Sequence, residues 1–202
     1  ILAAVKENMF KNHPYRWTTI GSMEHIDAAT LEEFQAFNKK FYLPNNAVLV
    51  VAGDFEKKQA KEWIQKYFGP IPKGEVVPKK SFLAEPITQT IKATYKDPNI
   101  QIPMLVASYR TPSMKSRDAR VLDLISSYLS DGKSSRLYKK VVDDKKMALQ
   151  IGAVGFSQED YGMYIIYGLP MGNFTITDML KEIDEEIAKI QTDLISEKDF
   201  QK

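Results

Sequence analysis

ALQIGAVGFSQEDYGMYIIYGL, residues 148–169, is the stretch on which the fold turns. Ala148–Ser157 and Tyr161–Leu169 are strand-forming runs, and Gln158-Glu159-Asp160 between them is a polar turn of hairpin length. So short a connection joins antiparallel neighbours, because parallel strands need a crossover of a dozen residues or more. Helical patterns flank the hairpin. Upstream, Val121, Leu122, Ile125 and Leu129 recur at helical spacing, stop at Asp131-Gly132 and resume through Leu137, Tyr138, Val141 and Val142. Downstream, Leu180, Ile183, Ile187, Ile190 and Leu194 form an apolar seam, each side chain worth roughly 1.5–3 kcal/mol when buried. Ser196-Glu197-Lys198-Asp199 reads as the cap of a further helix.

Before these elements lie two more expected strands, Ile87–Lys96 and Gln101–Tyr109, joined by an Asp97-Pro98-Asn99 turn. Pro103 lacks an amide donor, so the second of them is an edge strand or starts late. The order β-β-α-α-β-β-α with short connections predicts an α+β fold, an antiparallel sheet with helices packed on one face. Residues 70–86 carry Pro70, Pro72, Pro78 and Pro86 together with Gly74, which makes them a stiff connector. The expected organisation is therefore a first segment at 1–69, a linker at 70–86 and a second domain at 87–202.

The first segment reads as the tail of a helix over 1–10, a loop over 12–27, then a helix, a strand and a helix. Thr30-Leu31-Glu32-Glu33 fits a capping box. Leu31, Phe34, Phe37 and Phe41 follow at helical spacing and predict a buried aromatic face, and Pro44-Asn45-Asn46 ends that helix. The Val-rich run Ala47–Ala52 is expected to be a buried strand. Asp54 sits where the next helix would be capped, and Gly69-Pro70 stops that helix.

Composition narrows the function. The 202 residues are 44% hydrophobic and 27% charged, with 28 Lys and Arg against 26 Asp and Glu, a net charge of +2. The Lys-Lys pairs are spread along the chain, which argues against a nucleic-acid footprint. No apolar run reaches the roughly 18 residues of a membrane span. The absence of cysteine removes disulfides, thiolate metal sites and cysteine nucleophiles. The chain opens Ile1-Leu2-Ala3 with no initiator Met and reads as a piece of something longer. The absence of disulfides leaves the compartment open between periplasm and cytoplasm.

No catalytic constellation assembles from these residues. His13 and His25 are the only histidines, twelve residues apart with chain breakers between them, and match neither H-E-x-x-H nor H-x-x-E-H. They read as loop histidines satisfying backbone or surface hydrogen bonds rather than as metal ligands. Ser130-Asp131-Gly132-Lys133-Ser134-Ser135 lacks the first glycine of a phosphate loop and follows a helix, so it reads as a helix–helix turn with Ser134 or Ser135 capping. Phe34, Phe37, Phe41 and Tyr42 read as core rather than a stacking platform, and Trp17 as packing. The expected catalytic, cofactor-binding and metal-ligating residues in this chain are none.

A family resemblance is carried by His13-Pro14-Tyr15 with Ile20-Gly21, Leu31-x-x-Phe34-x-x-Phe37, Phe41-Tyr42-x-Pro44-Asn45-Asn46 and Leu49-Val50-Val51-Ala52-Gly53-Asp54. A second motif is Ser130-x-Gly132-Lys133-Ser134-Ser135-Arg136-Leu137-Tyr138. In this order, across essentially the whole chain, they resemble the M16 metallopeptidases: pitrilysin, insulin-degrading enzyme, mitochondrial processing peptidase and bacterial relatives. The resemblance implies two related α+β domains facing each other across a chamber. It also implies zinc held by an H-x-x-E-H helix and a distant Glu, all in the first domain. None of that motif is present here.

Residues 1–69 then resemble the end of the metal-bearing domain, and 87–202 most of the second, non-metal domain. Zinc is expected in the parent chain and none in this piece, which should not hydrolyse peptides alone. Halves of the family that lack zinc often carry an Arg and a Tyr seven residues apart that project towards substrate. Val142 and Leu149 stand at the corresponding positions, so the piece resembles the second domain of a zinc-carrying subunit. The partners implied are a peptide substrate and either a second subunit of the family or a second copy. Two rival readings are a catalytically inactive structural or assembly subunit of the same family, and an unrelated α+β peptide-binding module.

Overall fold

The computed structural model describes residues 1–201. Its elements are α1 (Leu2–Met9), α2 (Met23–Ala28), α3 (Leu31–Phe41), α4 (Lys57–Phe68), β1 (Leu105–Thr111), α5 (Arg117–Ser130), β2 (Ala148–Phe156), β3 (Gly162–Pro170), α6 (Ile176–Thr192) and α7 (Glu197–Phe200). A π-helical turn, Tyr138–Asp144, lies between α5 and β2. The chain divides into two compact units, one of Ile1–Met9 with the chain from Pro86 onward, the other Phe10–Glu85.

The larger unit is an α+β layer. Its sheet has the order β1-β3-β2 and is antiparallel throughout, with Ile166 of β3 facing Ala107 of β1 and Ala153 of β2. The expected hairpin is present, within one residue of its predicted ends. β1 starts at Leu105, past Pro103, and is an edge strand, as a proline without an amide donor requires. The central strand β3 is buried along nearly its whole length, which is why its sequence is almost continuously apolar. Leu129, Leu137, Val141, Met179 and Ile183 come from the helical elements to meet Leu105, Ile151, Tyr164 and Ile166 of the sheet. α6 begins with a capping box from Thr175 and Asp178, and α7 is capped by Ser196 as read. Leu194 falls beyond α6 and is fully exposed, so the predicted seam ends at Ile190.

Ile87–Lys96, expected as a strand, forms none. Its alternation suits a ladder, but the observed sheet ends at β1 and no neighbour among the described residues pairs with it. The turn at Asp97 does form, with the Asn99 amide donating to the Asp97 carboxylate at 2.9 Å. The helix expected through Val141 and Val142 is π-helical, its last bond running from the Lys145 amide to the Lys140 carbonyl.

In the unit Phe10–Glu85 the capping box at Thr30 and Glu33 forms, and α4 ends at Phe68 before Gly69. Four expectations fail there. Residues 12–27 hold a 3-10 turn at Pro14–Arg16 and the helix α2, because Ser22 accepts the His25 amide and caps it. Ala47–Ala52 is irregular and exposed, since the unit supplies no second strand among its described residues. α4 is preceded by Glu56 as its N-cap, not Asp54, with no side-chain cap. The aromatic face of α3 is not buried: Phe34 is 59% and Phe37 56% exposed, as no layer of this unit covers it.

Candidate functional site

A polar surface lies where the turn after α5 meets β2. α5 ends at Ser130, and Gly132 turns the chain with φ +71°, a conformation that suits a residue without Cβ. The Ser135 hydroxyl then donates to the Gly132 carbonyl at 2.8 Å. These residues make the expected helix–helix turn, but neither Ser134 nor Ser135 caps the segment that follows, because the Ser135 hydroxyl is spent as a donor to Gly132 and Leu137 at the N-cap has no side-chain bond. Ser130 Oγ accepts the Ala153 amide at 2.7 Å and donates to the Ala153 carbonyl at 3.0 Å, with the Ser126 carbonyl 3.3 Å away as its alternative acceptor.

Two open concavities flank this contact. One, about 430 Å³, is lined by Lys133, Tyr138, Gln150, Gly152 and Tyr167. The other, about 310 Å³, is lined by Asp123, Ser127, Asp131 and Gly155. Ser130, Ala153 and Val154 line both, so together they follow β2. Tyr167 lies close over Gly152, where an added Cβ would come within 2.6 Å of its ring.

The turn is anchored from below by ion pairs. Glu182 and Glu186, one helical turn apart on α6, are almost fully buried. Lys140 of the π-helical turn places its ammonium 2.9 Å from Glu182, 2.8 Å from Glu185 and 3.2 Å from Glu186. Arg136 Nε is 2.7 Å from Glu186, and its other arm donates to the Tyr128 hydroxyl at 3.0 Å. Burial pushes the Glu186 carboxyl up, but hydrogen bonds from Lys189, Arg136 and Lys140 outweigh it and hold the group at about 2. Burial pushes the Lys140 ammonium down, and its hydrogen bonds to Glu185, Glu182 and Glu186 leave it raised instead. The cluster is a cross-brace, with every buried carboxylate facing a cation. Nothing near them in the sequence marks it, since glutamates on an amphipathic helix are ordinarily on its solvent face.

His13 is buried as the cap of a 3-10 turn, its Nδ1 accepting the Tyr15 amide at 3.1 Å, with Phe10, Tyr15 and Phe82 around its ring. His25 is exposed beside Trp17. Among the described residues, no group of three His, Cys, Asp or Glu is placed to hold a metal ion. Val142 packs partly buried against the core, and Leu149 sits at a β-bulge in β2, 51% exposed. No helix among the described residues is long and apolar enough to cross a membrane.

This fold and surface define a class: an α+β layered domain whose β2 edge offers hydroxyl, backbone and apolar groups. The chain belongs to the M16 peptidase family, matching the model described as the peptidase M16 inactive domain over residues 28–202. It is 28% identical over 193 residues to the zinc protease PqqE of Helicobacter pylori, covering 94% of this chain and 43% of that protein. The crystal structure of a protease from Helicobacter pylori superposes with a TM-score of 0.78 at 25% identity, covering 96% of this chain and 47% of that one. The peptidase M16 inactive domain from Pseudomonas fluorescens gives 0.80 at 20% identity, covering 98% and 48%. The chain thus spans less than half the length of these relatives.

Proposed function

We propose that this chain is the non-catalytic part of a bacterial zinc metalloendopeptidase, in which it forms one wall of a chamber that holds an extended peptide. The observation that carries the reading is the match of residues 28–202 to the inactive domain of the family. The name zinc protease borne by the Helicobacter relative supports zinc in the whole protein. Among the described residues no group of three His, Cys, Asp or Glu is placed to hold that metal, and no catalytic step is assigned to them. Residues 87–202 serve as the second domain, 70–86 as the linker, and 1–69 as the end of the metal-bearing domain. The exposure of Phe34, Phe37, Val48 and Val50 supports that last assignment, because further parts of the first domain would cover such apolar side chains. Val142 and Leu149 favour a zinc-carrying subunit, which would work with a second subunit of the family or a second copy of itself.

The test is hydrolysis of a quenched fluorescent peptide library by the full-length protein and by residues 1–202. Chelator-sensitive cleavage by the full-length protein, with residues 1–202 inert, supports the reading. An inert full-length protein, assayed with its partner subunit present, favours the structural-subunit alternative. Cleavage by residues 1–202 alone overturns both.

A further inference from the structure

The sheet order leaves the outer side of β2 without a neighbouring strand among the described residues. An antiparallel neighbour would pair with one β2 residue by accepting its amide and donating to its carbonyl, then skip a residue and repeat. Ser130 Oγ makes both of those bonds to Ala153, at 2.7 and 3.0 Å. A single hydroxyl at the end of α5 therefore does at Ala153 what a fourth strand would do. The ladder's alternation aims the amides and carbonyls of Ile151 and Gly155 to the same side, so Ala153 is the middle of the three residues that an added strand would engage. The two concavities follow β2 on either side of that contact and meet at Ser130, Ala153 and Val154.

We infer that Ser130 is a strand mimic that closes the β2 edge, so that neither an extended peptide nor a second copy of the sheet can add to it. Unpaired strand edges are templates for pairing, and proteins blunt them by charge, bulge or cover. Here the cover is a side chain, and β2 also carries a bulge at Leu149. An incoming strand would have to break both Ser130 bonds and displace the end of α5, which Leu129 fixes in the core. Any extended peptide passing this face is consequently met by side chains such as Lys133, Tyr138 and Tyr167, and not by a backbone ladder.

The experiment is amide hydrogen exchange on the full-length protein and its S130T and S130V variants, with and without an acetylated Thr-Val-Thr-Val-Thr-Val probe peptide. Thr and Val have nearly the same shape, so the pair separates the hydroxyl from its volume. The expected result is slow Ala153 exchange in the parent and S130T, unchanged by the probe. In S130V, Ala153 exchanges about tenfold faster or more, and the probe slows it again. Exchange at Ile166, deep in the same sheet, reports an intact fold, and S130A replaces S130V if that protection is lost. Ala153 exchange in S130V as slow as in the parent would overturn the inference. So would a parent protein whose Ala153 is further protected by the probe.

Discussion

Arg136 donates from Nε to the Oε2 of Glu186 at 2.7 Å, tying the start of the π-helical segment to the middle of α6. Glu186 is only 2% exposed, so this charge is held by cations rather than by water. Removing it takes the carboxylate away from Arg136, while Lys140 keeps Glu182 and Glu185. The E186Q variant is expected to lose about 2–3 kcal/mol at neutral pH, below the usual range for breaking a buried pair because Arg136 can turn to solvent. The urea midpoint followed by circular dichroism checks this.

The same carboxylate sets a pH dependence. Its folded value of about 2 lies below the ordinary 4.5, so the native state binds fewer protons than the unfolded state between those values. The stabilisation from Glu186 is complete above about pH 4.5 and is lost progressively as pH falls towards 2. Glu182 is lowered as well: burial pushes its carboxyl up, but hydrogen bonds from Lys145 and Lys140 prevail. Unfolding free energies measured from pH 6 down to 2 are expected to fall across this window, and E186Q to flatten the slope.

Gly152 and Tyr167 face each other across the β2–β3 ladder, leaving no room for a Cβ. Gly152→Ala is expected to cost about 1–2 kcal/mol by overpacking, with Tyr167→Ala relieving most of it in the double variant. Urea midpoints of the two single variants and the double give the coupling directly.

Depth in the sheet predicts a contrast between two apolar positions. Ile166 has no exposed surface and Leu149 is half exposed on its bulge. Ile166→Ala is expected to cost about 3–4 kcal/mol and Leu149→Ala less than about 1 kcal/mol. Thermal unfolding of both variants tests whether the core lies where the contacts put it.

What was legible in the sequence is what local chemistry decides. The hairpin of β2 and β3, the late start of β1 after Pro103, and the caps at Thr30 and Ser196 each follow from residues within a few positions. Ala47–Ala52 and Ile87–Lys96 failed for the opposite reason. Their β-branched content records a propensity, and a strand also needs a neighbour to pair with. The π-helical turn was hidden because Val141 and Val142 satisfy either helical register. Ser130 looked like an ordinary helix end, and its bonds to Ala153 span 23 residues of sequence. Pairings at that range leave no periodic trace.

The most direct test of the central claim is the zinc content of purified protein, measured by plasma mass spectrometry on residues 1–202 and on the full-length chain. The account predicts about one zinc per full-length chain and none retained by residues 1–202, since structural and catalytic zinc each need three or four protein ligands. A stoichiometric zinc that survives dialysis on residues 1–202 would contradict it, by placing a metal centre in the part assigned as non-catalytic.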